Sequence, residues 1–81
     1  MIKTKLDFHN AYLTALKICH TKNPTRYAWP IANAEIVTER MMIAIAGNTY
    51  NLDSPALKSV MCAEKIAYNR KSIAEFYNSL V

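Results

Sequence analysis

One glycine, Gly47, in a chain of 81 residues is the feature that most restricts what this sequence can become. Phosphate loops of the Walker or dinucleotide type need several glycines at fixed spacing, so that the backbone can close around phosphate oxygens. Neither loop can be written here. Two-residue hairpins want Asn-Gly, Asp-Gly or Gly-X, and only Gly47-Asn48 could serve. A multi-stranded barrel or sandwich is therefore disfavoured, and helices become the default. A chain this short buries only roughly 60–65% of its unfolded surface. With 52% hydrophobic residues it still has enough for one core. The expectation is a single all-α domain over residues 1–81, a compact bundle of about four helices.

Apolar spacing places those helices. Phe8, Tyr12, Ala15/Leu16 and Cys19 step by three or four residues, and Leu6 and Leu13 widen the stripe, which predicts a helix from about Lys5 to His20. Thr4-x-x-Asp7 has the form of a capping box. Asn23-Pro24 ends the helix. Residues 21–30 form a connector stiffened by Pro24 and Pro30. The second helix starts at Pro30 or Asn33, with Ala34, Val37, Met41, Ala44 and Ile45 inward. Met42 and Ile43 make its end apolar all round, as in a central helix. Gly47 then supplies the left-handed C′ residue. After a polar loop at 48–53, Ser54-Pro55 opens a third helix to about Ile66, with Leu57, Val60, Met61 and Ala63 inward. Asn69 caps a fourth, Arg70 to about Leu80, with Ile73, Phe76/Tyr77 and Leu80 on its stripe.

Ten Lys plus Arg stand against six Asp plus Glu, a net charge of +4. The excess lies in the first third, where Lys3, Lys5, Lys17, Lys22 and Arg26 face only Asp7. A modest basic excess suits nucleic acid or an acidic protein surface. Cys19 and Cys62 each fall in an apolar helical pattern and read as small buried hydrophobes, which makes the reduced cytoplasm the expected compartment. Lys3, Lys5 and Asp7 do not make a signal peptide, and the longest aliphatic stretch, Met41–Ala46, is too short to span a bilayer. No membrane partner and no small-molecule substrate are expected.

Catalytic and metal chemistry find little support. Ser54, Ser59, Ser72 and Ser79 lack a glycine elbow. His9 and His20 have no acidic or cysteine neighbour at useful helical spacing. Glu35 and Glu39 share a helix face but lack a Glu-x-x-His partner, so they read as solvated rather than as metal ligands. The chain is expected to be non-enzymatic, with no cofactor and no metal.

Two regions carry binding character. The connector holds Lys22, Arg26, Tyr27 and Trp29, and exposed Arg, Tyr and Trp are the residues that anchor interfaces. Trp29 staples the connector to the helices, presents such an anchor, or offers a stacking platform for single-stranded nucleic acid. The second region is the last helix pair. If Ile73 plugs the core, Cys62 and Ala63 take the small positions of the preceding helix. Ile66 and Tyr68 then flank a turn at Ala67, where glycine is usual, and Phe76 is the last core position. Over Ser59–Asn78, about a quarter of the chain, this resembles helix-turn-helix proteins, and the same apolar steps also suit an ordinary αα-hairpin. The resemblance implies an outward face of Asn69, Arg70, Lys71, Ala74, Glu75 and Asn78. Arg would pair with guanine, Asn with adenine, and Arg70 and Lys71 could take phosphates.

The whole chain also resembles the small accessory proteins that phages and other mobile elements encode. That resemblance implies a binding role. One form is a DNA-binding regulator acting through Asn69, Arg70, Lys71 and Asn78. The alternative is an inhibitor of a host nucleic-acid-processing or defence complex, of anti-CRISPR or anti-restriction type. A homodimer is compatible with either.

Overall fold

Thr4 and Asp7 start the first helix as their spacing predicts. In the computed structural model, which describes residues 1–81, the Thr4 hydroxyl accepts the Asp7 N–H at 3.0 Å. The Asp7 carboxylate accepts the N–H groups of Thr4 and Lys3, each at 3.0 Å. Those two backbone donors, Lys3 first, hold the Asp7 carboxyl below the usual carboxylate range. The helix, α1, covers Lys5–Lys22 and ends at Asn23, ahead of Pro24. It buries Phe8, Tyr12, Ala15 and Leu16, but Leu6 does not widen the stripe, being 68% exposed.

The connector is partly helical. Residues Ala28–Ala32 form the short α2, and Ala34–Ala46 form α3. Asn33 separates them. Its side-chain amide donates to the Trp29 carbonyl at 3.0 Å, and its own carbonyl accepts the Val37 N–H at 3.0 Å. An Asn side chain that satisfies backbone groups locally competes with helix continuation. One expected helix therefore becomes two, and the bundle has five helices rather than four.

The inward face of α3 centres on Thr38, Met42 and Ile45, with Val37, Met41 and Ala44 half-buried beside them. Thr38 is fully buried because its hydroxyl donates to the Ala34 carbonyl at 2.7 Å. The helix is not surrounded: Ile43 is 73% exposed. Gly47 also departs from its expected role. It sits at φ −87°, and Asn48 takes the left-handed position at φ 57°. Asn48 and Thr49 N–H groups close on the Ile45 and Ala44 carbonyls at 3.1 and 2.8 Å, a Schellman ending.

Ser54 caps α4 (Pro55–Ala63), accepting the Leu57 N–H at 3.4 Å, and α4 buries Ala56, Leu57, Val60 and Met61. It stops three residues before Ile66 in a second Schellman ending, with Lys65 left-handed at φ 58°. Ala67 does not occupy the left-handed turn position. Helix α5 covers Arg70–Asn78.

Helix α1 packs on α2, α3 and α4, whereas α5 packs on α3. The fold is all-α, but the helix-turn-helix arrangement of the last two helices is not reproduced. Six residues, 64–69, join α4 to α5, where that motif uses about three or four. Cys62 and Ala63 point to solvent instead of receiving a crossing helix, and Cys19 is only half-buried, so neither cysteine is a core residue. Ile73 is fully buried and Phe76 half-buried. Phe8 meets the Tyr77 ring edge-on at 5.3 Å, which fixes α5 against the start of α1. The radius of gyration is 11.8 Å, against about 11.7 Å expected for this length. No helix is long and apolar enough to cross a membrane.

Candidate nucleic-acid interface

Helix α5 begins on an extended residue, Asn69, whose side-chain oxygen accepts the Ser72 N–H at 2.8 Å. Arg70 and Lys71 fill the first two helical positions, both exposed, and the first turn holds no acidic residue. Positive side chains at this end oppose the helix dipole, at a cost of about 0.3–1 kcal/mol each. Most helices avoid the arrangement, and an external anion would relieve it.

Two tyrosines fix this helix start. Tyr50, only 2% exposed, reaches from the loop after α3 and donates its hydroxyl to the Arg70 carbonyl at 2.6 Å. The Arg70 guanidinium stands 5.4 Å from the centre of the Tyr50 ring. Burial pushes the Tyr50 phenol above its usual range, and the Arg70 charge pulls the other way. Tyr68, two residues before Arg70, donates its hydroxyl to the Leu52 carbonyl and accepts the Ser54 N–H at 3.4 Å. Loop 48–54 and segment 64–69 are thereby tied together at the entrance to α5.

Cations from distant parts of the chain meet at this tie. Arg26 and Lys58 line one cleft of about 610 Å³ with Tyr68, Ser54 and Asp53. Lys65 lines a second, of about 390 Å³, with Ser72 and Glu75 of α5. None of Arg26, Lys58, Lys65, Arg70 or Lys71 is in an ion pair; the one ion pair in the structure joins His9 to Glu35 at 3.6 Å. That pair also supplies the acidic neighbour that helical spacing did not offer His9. Glu35 reaches it from another helix, and no group of three or more His, Cys, Asp or Glu side chains gathers into a metal site.

The expected site residues divide accordingly. Asn69 is exposed but committed to capping. Arg70 and Lys71 are exposed and unpaired by carboxylates. Asn78 shares the Lys71 face one heptad on, with Glu75 between them on that stripe. Of the connector residues, Lys22 and Arg26 are exposed, and the Arg26 guanidinium lies 5.4 Å from the Tyr27 ring centre. Burial, then Cys19, pushes the Tyr27 phenol up. Tyr27 and Ile31 hold the connector on the core, whereas Trp29 is 64% exposed and is not the staple. Lys58, Tyr50 and Tyr68 carried no signal as site residues.

No protein-family model matches the chain, and no curated protein or solved structure matches it.

Proposed function

We propose that this chain is a non-enzymatic regulator that contacts DNA through the N-terminal end of α5. Arg70 and Lys71 take phosphates or guanine edges, and Arg26, Lys58 and Lys65 add further positive charge. The observation that carries this is the pair of exposed cations at the first two positions of α5, unpaired by carboxylates and braced by buried Tyr50. The mode of contact is a helix N-terminus within a basic surface, not a recognition helix laid along the major groove, because Glu75 interrupts the outward face. A mobility shift of duplex DNA at low salt is expected for the wild type and strongly weakened in Arg70→Ala/Lys71→Ala. Folded wild type that shifts no duplex would refute the proposal.

Exposed Trp29, beside Arg26 and Lys22, favours a second reading. Here the protein inhibits a host nucleic-acid-processing or defence complex by protein–protein binding. Affinity purification with and without nuclease separates the two. A complex that survives nuclease and vanishes in Trp29→Ala supports the inhibitor, and one that nuclease removes supports DNA.

A further inference from the structure

A groove of about 440 Å³ runs between the first turns of α1 and the second half of α3. Buried Met42 and Tyr77 form its floor. Its walls are Leu6 from α1, 68% exposed, and Ile43 from α3, 73% exposed. Side chains this apolar and this open are usually covered by something when they flank one groove. The charges are divided between the walls. Lys5 stands on the α1 side and Glu39 on the α3 side, and neither has an ion-pair partner within the chain. Lys5 reaches only neutral groups, the Leu80 carbonyl at 3.1 Å and the Tyr77 ring face at 5.6 Å. His9 lines the groove too but is engaged by Glu35.

We propose that a second copy of this chain covers the groove, in a two-fold dimer. A two-fold axis running along the groove lays the α1 wall of each copy on the α3 wall of the other. Leu6 then meets Ile43 of its partner, and Lys5 meets Glu39, twice over. The division of charge selects this occupant. A nucleic acid would be repelled by Glu39, whereas the surface is complementary to itself. The proposal does not depend on what α5 touches.

Sedimentation of the full chain without nucleic acid tests it. Wild type should pass from monomer to dimer as concentration rises from about 1 to 300 µM. Ile43→Asp removes the apolar centre from both halves and should weaken association about a hundredfold. It changes an exposed side chain, so folding should be retained. Lys5→Glu alone and Glu39→Lys alone should each weaken self-association about tenfold, since each sets like charges opposite one another. Mixed in equal amounts, those two variants should form a heterodimer close to wild-type affinity, because every facing pair is again opposite in sign. Wild type that stays monomeric throughout overturns the proposal. So does a dimer indifferent to Ile43→Asp, or a mixture that associates no better than its parts.

Discussion

Asn48 and Lys65 hold the two left-handed conformations of the chain, while its one glycine rests at an ordinary φ. A β-carbon on Gly47 would meet nothing closer than the Ile43 carbonyl oxygen at 3.5 Å. Gly47→Ala should therefore stabilise the fold by about 0.4–1 kcal/mol, through the unfolded chain, as read by thermal or urea denaturation. Lys65→Gly should stabilise by up to about 1 kcal/mol, because a left-handed lysine is strained. Asp7 gives a pH signature. Its folded pKa is depressed, so its contribution is complete above the unfolded value of about 3.9 and is lost as pH falls through the folded one. The urea midpoint of Asp7→Asn should fall less than that of wild type between about pH 4 and pH 2. Capping residues were legible at this scale because Thr4, Ser54 and Asn69 act on N–H groups three residues away. Gly47 was misplaced because two adjacent residues, Gly47 and Asn48, both suit a helix end. Only the backbone path decides between them.

The helices were legible where a stripe and a cap agreed, as in α1 and α5. They were not where local hydrogen bonding overrode the stripe. Asn33 split one expected helix, and the Schellman ending at Lys65 shortened α4 and lengthened the segment before α5. That longer segment is what removes the close crossing of α4 and α5 implied by the resemblance to helix-turn-helix proteins. The ties at the head of α5 were invisible in the sequence, because Tyr50 and Tyr68 bond to carbonyls 20 and 16 residues away. Tyr50→Phe should cost about 1 kcal/mol by losing one partly buried hydrogen bond, and Tyr68→Phe should cost more, because its hydroxyl serves both Leu52 and Ser54. Amide exchange of the first turn of α5 should quicken in both. Unchanged exchange there would show that the tyrosines do not brace the helix start.

At the scale of the molecule, the core is continuous from α1 through α3 and α5, and its centre can be tested on Ile73. Ile73→Ala should cost about 2–5 kcal/mol in urea denaturation, since the side chain is fully buried. Connector and last helix pair read as two separate regions, yet Arg26 of the connector and Tyr68 of the segment before α5 line one cleft. The proposed contact is between the cations at the head of α5 and the phosphates of DNA. Fluorescence anisotropy with a random-sequence duplex, titrated from 50 to ~200 mM salt, addresses it most directly. Binding should weaken linearly in log–log form, with a slope about two units shallower in Arg70→Ala/Lys71→Ala. A folded double variant with the affinity and slope of wild type would contradict that contact.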